Sequence, residues 1–195
     1  MNNTLLWYTA RAAGIVSLVF LSAVVVLGLL ARMRVEGRGW PRFLTAAVHR
    51  DLALLSLVFL SIHIVTAVTD PFTALGLNAA VVPFGSYYRT FWLGLGTLSV
   101  ELMLAVVVTS LVRRWIGQRA WKAVHWAAYA VWPMAVLHGI GTGTDAFTLW
   151  SLAVTIVCVG GVAVALMWRV DYARRDPLRE EKRAAAAAST RELVR

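Results

Sequence analysis

Four histidines are the residues whose type and placement in this chain could support chemistry, and each lies in a long apolar stretch: His49, His63, His125 and His138. An ionisable side chain is costly inside a stretch that can cross a bilayer, so it usually marks a functional site. Neutral imidazole is a common metal ligand and an axial ligand of haem iron. A single membrane histidine is often only a hydrogen-bonding side chain. Four histidines confined to two stretches instead predict cofactor binding.

The spacing of the histidines places them at two depths. His49 and His63 are 14 residues apart, which on a helix gives about 21 Å of rise and a residual rotation of roughly 40°. His125 and His138 are 13 residues apart, or about 19.5 Å of rise, so the second pair matches the depths of the first. Because both stretches run in the same direction, His49 pairs with His125 (the inner pair) and His63 with His138 (the outer pair). A separation of about 20 Å prevents all four from binding one ion.

The rotation of His138 about its helix is the least favourable part of this geometry. On an ideal helix, a separation of 13 residues leaves His138 rotated by roughly 140° from His125. Pro133 lies between them, and proline removes a backbone hydrogen bond and kinks or rewinds a helix locally. We expect Pro133 to re-aim the two imidazoles.

The stretches that must position these side chains are transmembrane helices. The chain is 59% hydrophobic with a mean hydropathy of +0.69, more than a water-soluble domain of this size contains. Long apolar runs without alternation exclude a membrane β-barrel. The sequence predicts an all-α integral membrane bundle with five transmembrane helices, over Ala12 to Ala31, Leu44 to Thr69, Phe91 to Val112, Trp121 to Ile140 and Phe147 to Trp168.

Orientation follows from arginine and lysine, which collect on the cytoplasmic side. Of the 19 such residues, 17 lie in or beside the first connection, the third connection and the C-terminal tail, whereas Arg11 and Arg89 lie on the opposite side. This predicts a multi-pass protein of the cell (plasma) membrane with its N-terminus outside and its C-terminus in the cytoplasm. The net charge of +9 therefore reflects topology, and membrane lipid rather than nucleic acid is the expected partner.

The remaining segments are a tail and a long external connection. We divide the chain into a membrane domain, residues 1–170, and a basic cytosolic tail, residues 171–195, whose alanine run, Ala184 to Ala188, is compatible with a fraying helix. The first apolar segment ends at basic residues rather than at a cleavage site, so we expect it to be retained as a span. The connection from Asp70 to Thr90 either lies on the membrane surface or caps the bundle.

The histidine pattern resembles the ferric reductase-like transmembrane domain superfamily, which includes NADPH oxidases, ferric reductases and the haem-binding membrane subunit of bacterial methionine sulfoxide reductase systems. The resemblance rests on the stretches HRDLALLSLVFLSIH and HWAAYAVWPMAVLH, which begin and end on His49 and His63 and on His125 and His138. It implies two b-type haems, each clamped between the two histidine-bearing helices, and electron transfer across the membrane.

The resemblance also bears on the redox partners. Oxidase and reductase members usually carry a cytosolic flavin and nicotinamide domain and many have six spans, whereas this chain has five predicted spans and a short tail. It is most similar to the short bacterial members. We therefore expect an oxidoreductase subunit whose donor is a separate flavoprotein or a quinol, and the external acceptor stays open.

Bis-imidazole ligation leaves iron no open position, so outer-sphere electron transfer is expected, entering at the inner pair and leaving at the outer pair. Haem propionates are anionic and attract cations at matching depths, for which Arg50 and Lys122 are inner candidates and Arg89 is the outer one. Membrane topology explains Arg50 and Lys122 equally well. Membrane topology explains Arg89 less well, because it is one of only two cations on the predicted external side.

Other readings remain open from the residues alone. One is a haem-free proton or metal transporter lined by the histidines, and another is a structural membrane scaffold; an absorption spectrum separates both from a cytochrome. Glu101 lies inside the third span, where a carboxylate is costly, so we expect it to pair with a neighbouring helix or to belong to a proton path.

Overall fold

A computed structural model describes residues 3–33, 42–71, 73 and 75–175, and over these ranges the chain forms helices and turns without a strand. The helices are α1 (Asn3–Met33), α2 (Arg42–Thr69), α3 (Gly76–Val81), α4 (Thr90–Leu111), α5 (Arg113–His125), α6 (Ala128–Thr142) and α7 (Leu149–Arg174). The predicted all-α class is confirmed for the described part of the chain.

Four of these helices are long and apolar enough to cross a membrane: Thr4–Met33, Phe43–Thr69, Thr90–Leu111 and Leu149–Arg174. They correspond to the first, second, third and fifth predicted spans, so the chain is a multi-pass membrane protein. The last helix continues through the predicted domain boundary at residue 170 to Arg174. Most of the predicted cytosolic tail, residues 176–195 with its alanine run, lies outside the described residues.

The predicted fourth span, Trp121 to Ile140, is divided between two helices. Helix α5 ends at His125 and α6 begins at Ala128. With 15 residues, α6 is about 22 Å long, shorter than the hydrocarbon core of about 30 Å. A count of five spanning helices is therefore not confirmed by helix length alone.

The break between α5 and α6 changes the winding of the backbone. The amide of Ala127 donates to Val124 O at 2.9 Å, and that of Ala130 to Ala127 O at 2.8 Å, so these bonds reach back three residues. Winding of this kind turns the chain by about 120° per residue instead of about 100°. A few such residues recover roughly 60–80° of the rotational mismatch expected between His125 and His138. The rewinding precedes Pro133, whose ring crowds the carbonyl four residues earlier, while α6 continues through the proline itself.

Helix α1 is the central element of the bundle. It packs along α2 and also contacts α6 and α7, while α4 packs against α6, α5 and α3. Helix α2 is held mainly by α1, and its contact with α6 is slight. The two histidine-bearing segments therefore face each other without close helix packing.

The antiparallel register of α1 and α2 repeats every seven residues. At its centre, the Ser17 hydroxyl donates to Ser56 O at 3.0 Å and the Ser56 hydroxyl donates to Ser17 O at 3.3 Å. Such hydroxyl-to-carbonyl bonds join helices where the hydrophobic effect provides no drive for association. Seven residues either side of this crossing, α1 presents Ala10 and Val24 to the two histidines of α2.

The external connection caps one end of the bundle. Its short helix α3 contacts both α2 and α4, Ala79 is buried, and the Thr97 hydroxyl of α4 donates to Ala79 O at 2.7 Å. Of the two placements considered for this connection, the structure favours the cap.

Candidate cofactor site

The outer pair lies between α2 and α6. The ring centroids of His63 and His138 are 6.2 Å apart, and the ring planes are inclined at 82°. The two side chains meet across the gap that α2 leaves beside α6. The pairing derived from depth thus corresponds to a real proximity in the fold.

Three of the four imidazoles are hydrogen-bonded to backbone carbonyls of neighbouring helices. His63 Nδ1 lies 2.7 Å from Ala10 O, His49 Nδ1 lies 3.0 Å from Val24 O, and His138 Nδ1 lies 3.0 Å from Trp92 O. A carbonyl oxygen can only accept, so each Nδ1 is the donor and carries the proton. In a neutral ring this leaves the lone pair on Nε2, the atom that can ligate a metal.

His125 has a different environment. It ends α5 and stacks on Trp121, with ring centroids 5.0 Å apart and planes inclined at 30°. Its Nδ1 is buried and has no hydrogen-bond partner among the residues that the structure describes. His125 is close enough to His49 and Arg32 for electrostatic interaction.

A cleft borders both histidines of the outer pair. Its empty space amounts to about 930 Å³ including the part open to the surroundings. The wall is mostly apolar, with polar groups from α1, α4, α6 and α7: Arg11, Ser17, Ser99, Thr142, Ser151 and Thr155. Such a lining suits a flat, largely apolar group that has a polar edge.

Arg11 is the charged residue of this cleft, and the sequence reasoning did not select it. Its Nε lies 2.6 Å from an Asp145 carboxylate oxygen, with side chains only 19% and 16% exposed. Its Nη2 donates to the Ser151 hydroxyl at 3.2 Å. The signal that singled out Arg89, a cation on the side with few cations, applied equally to Arg11.

The predicted outer propionate partner, Arg89, does not line this cleft, and the predicted inner partners, Arg50 and Lys122, belong to the other pair. Arg50 is exposed and pairs with its neighbour Asp51 at 3.0 Å, and Lys122 is exposed on α5. Arg89 is also exposed, donates to the carbonyl of Gly141 and lies over the Tyr88 ring. None of the three lines the cleft of the outer pair.

Two further arginines gather beside the inner pair. The guanidinium carbons of Arg32 and Arg169 lie 5.1 and 5.8 Å from the ring centroid of Trp126, the residue that follows His125. Arg169 also donates to the Tyr129 hydroxyl at 3.3 Å. These contacts join the ends of α1 and α7 to the break between α5 and α6, a convergence that sequence spacing does not reveal.

Glu101 lies on the exposed side of α4 and forms no ion pair with any residue whose position is described. Within the same ranges, no three histidine, cysteine or acidic side chains come together as a metal site. The histidines thus form two separate pairs, and each pair could supply two nitrogen ligands.

The fold and the site define a class: a multi-pass helical membrane protein whose paired imidazoles lie at two levels between helices. Residues 13–136 match the family model described as the ferric reductase like transmembrane component, and the chain belongs to that family. The match contains His49, His63 and His125 and ends two residues before His138. No curated protein and no solved structure matches the chain.

Proposed function

We propose that this protein transfers electrons across the cell membrane through two b-type haems, one held by His49 and His125 and the other by His63 and His138. The donor is a cytoplasmic-side flavoprotein or a quinol, and the acceptor lies outside. Membership of the ferric reductase-like family indicates transmembrane electron transfer. The observation that carries the finer proposal is the 6.2 Å separation of the outer imidazoles.

That separation matches what two axial ligands require. A bond from a first-row metal to imidazole nitrogen is about 2.0 Å, and the centre of a five-membered ring with bonds of about 1.35 Å lies about 1.15 Å from each ring atom. Two imidazoles on opposite sides of one iron therefore have ring centres about 6.3 Å apart.

The protein's own groups prepare the imidazoles for this role. Haem iron with two imidazole ligands exchanges electrons without binding substrate at the metal. The carbonyls of Ala10, Val24 and Trp92 hold three rings with Nε2 unprotonated, and a hydrogen bond of this kind orients a ligating imidazole and raises its basicity. Residues of α1 and α4 thus belong to the site although neither helix contains a ligating histidine.

Charged residues support the same assignment. A haem carries anionic propionates, and guanidinium groups bind carboxylates well. Arg11 lines the outer cleft, and Arg32 and Arg169 converge beside His125. We propose these three as propionate partners, in addition to the predicted Arg50, Lys122 and Arg89.

We further propose that the end of α5 and α6 together form a fifth membrane crossing. Trp121 Nε1 donates to the Ser110 hydroxyl near the end of α4 at 3.2 Å, whereas His138 reaches Trp92 near its beginning. These contacts span 18 residues of α4, about 27 Å of a helix that is itself long enough to cross. Five crossings, with the arginine-rich connections in the cytoplasm, put the N-terminus outside.

The test is the haem stoichiometry of the purified protein. We expect two b-type haems per chain, with a reduced α-band and a low-spin ferric spectrum that indicates two nitrogen ligands. A protein purified from haem-replete cells without an α-band would refute the proposal and leave the transporter reading. One haem per chain would refute the dihaem arrangement.

A further inference from the structure

The three carbonyl groups that bind histidines share one feature of their helices. Each is followed four residues later by a glycine: Ala10 by Gly14, Val24 by Gly28, and Trp92 by Gly96. In each case that glycine is also the residue against which the bound imidazole lies. The same construction therefore occurs twice on α1 and once on α4.

The approach of the rings to these glycines is close. A Cβ built on Gly96 would lie 2.4 Å from His138 Nδ1, and one on Gly14 would lie 2.8 Å from His63 Nδ1. Both distances are below 3.0 Å, a separation that the Cβ atoms of real side chains essentially never show, so an alanine would force the ring away. At Gly28 the nearest ring atom, His49 Cε1, would be 3.5 Å away, an ordinary contact that a methyl group tolerates.

Helix geometry explains why the glycine lies four residues after the carbonyl. A Cα–Cβ bond tilts toward the helix N-terminus, so a side chain covers the turn that precedes its own Cα. The side chain at the fourth residue thus covers the carbonyl to which its own amide is bonded. Without that side chain, the second lone pair of the oxygen is open to a neighbouring ring.

We propose that Gly14 and Gly96 are positioning residues, each of which opens a backbone carbonyl to the Nδ1 of a haem-ligating histidine. This inference rests on the proposed function and assigns the two glycines a part in it. The outer pair then has both ligands anchored on the backbone. Among the described residues, only His49 of the inner pair is anchored on a carbonyl.

The carbonyl that corresponds to these three on the His125 side is covered by hydroxyl groups. His125 stacks on Trp121, whose Nε1 donates to the Ser110 hydroxyl at 3.2 Å, and from this register we infer that Val106 O is the matching carbonyl. Val106 O already accepts from the Ser110 hydroxyl at 2.6 Å and from the Thr109 hydroxyl at 3.2 Å. Among the described residues, His125 Nδ1 has no partner.

Gly14→Ala and Gly96→Ala test the proposal. Gly28→Ala and Gly160→Ala on α7 are the controls, because a Cβ makes only an ordinary 3.5 Å contact at Gly28 and meets nothing within 4 Å at Gly160. We expect Gly96→Ala and Gly14→Ala to lose about half of the haem, or to keep it with a raised midpoint potential at one haem, because the ring loses its carbonyl bond. Gly28→Ala and Gly160→Ala should keep two haems and unchanged potentials. The expected loss of haem is largest for Gly96→Ala, smaller for Gly14→Ala and absent for Gly28→Ala, because a Cβ at these positions would lie 2.4, 2.8 and 3.5 Å from the ring.

The outcomes separate this inference from the proposed function. Wild-type protein without haem refutes the proposed function; ¹⁵N spectra of the histidine side chains then test the carbonyl bonds directly, since three rings should carry the proton on Nδ1. Wild-type protein with two haems, together with Gly96→Ala and Gly14→Ala proteins that match the control in haem content and potential, overturns the positioning role. If Gly96→Ala does not fold, as judged by circular dichroism and gel filtration, the haem content and midpoint potentials of Gly14→Ala decide, because a Cβ at Gly14 lies 2.8 Å from its ring instead of 2.4 Å.

Discussion

His63 and His138 are 75 residues apart in the chain, yet their ring centroids are 6.2 Å apart across the gap between α2 and α6. Each is hydrogen-bonded to a different third helix, His63 to α1 and His138 to α4. Four helices thus fix one pair of rings, although the two histidine-bearing helices barely touch. This relationship leads to three predictions.

Replacing either outer histidine should remove one haem and leave the other. His63→Ala and His138→Ala are expected to lower the haem content of the purified protein by about half, because one axial ligand is lost while the inner pair is unchanged. The measurement is haem per chain from the reduced α-band. Ile62→Ala is the control, since Ile62 precedes His63 and is 38% exposed. Full haem content in His63→Ala would contradict the pairing.

Removing the positive charge of Arg11 should lower the midpoint potential of one haem. A nearby cation stabilises the reduced form, which carries one positive charge fewer at the iron. The variant Arg11→Gln removes the cation, whereas Asp145→Asn, which removes the negative charge of the same ion pair, should shift the potential in the opposite direction. A potentiometric titration measures both shifts, and Ile62→Ala, at a residue that is 38% exposed, is the control. A wild-type potential in the Arg11→Gln protein would exclude Arg11 as a partner of the outer haem.

Ser110→Gly should create the missing fourth carbonyl site. It removes the Ser110 hydroxyl, the shorter of two hydroxyl contacts on Val106 O, together with the Cβ beside that oxygen, and leaves the Thr109 contact at 3.2 Å. We therefore expect Val106 O to become an acceptor for His125 Nδ1. A more basic ligand stabilises ferric iron, and we expect a lower midpoint potential for the inner haem together with slower loss of haem to apomyoglobin. Ser110→Ala is the matched control, because it removes the hydroxyl and keeps the Cβ. Equal inner-haem potentials and equal rates of haem loss in Ser110→Gly and Ser110→Ala would contradict this prediction.

Much of the fold was predictable because the relevant information is local. The four long helices agree with the predicted spans to within about nine residues at either end, since twenty consecutive apolar residues favour a membrane helix whatever surrounds them. The fourth span was the exception. Its division at residues 126–127 depends on how Trp126 packs between Arg32 and Arg169 and on backbone bonds near a proline, neither of which hydropathy records.

The pairing of the histidines was also accessible from sequence, because the rise of a helix converts residue number into depth. His63 and His138 fall at one depth by that rule alone. The rule says nothing about which groups surround them. Arg11 was available as a candidate but could not be preferred to Arg89, since the choice depends on which arginine the packing of α1 against α6 and α7 turns into the cleft.

The sequence by itself thus determined the helices, the two levels of histidines and the family pattern, all of which follow from residue type and spacing along one segment. Only the tertiary structure decided that Ala10, Val24 and Trp92 supply the carbonyls and that His63 and His138 lie against Gly14 and Gly96. A carbonyl and a ring on different helices meet only when the register between those helices is set. That register arises from packing, as in the reciprocal bonds of Ser17 and Ser56, and no single segment contains it.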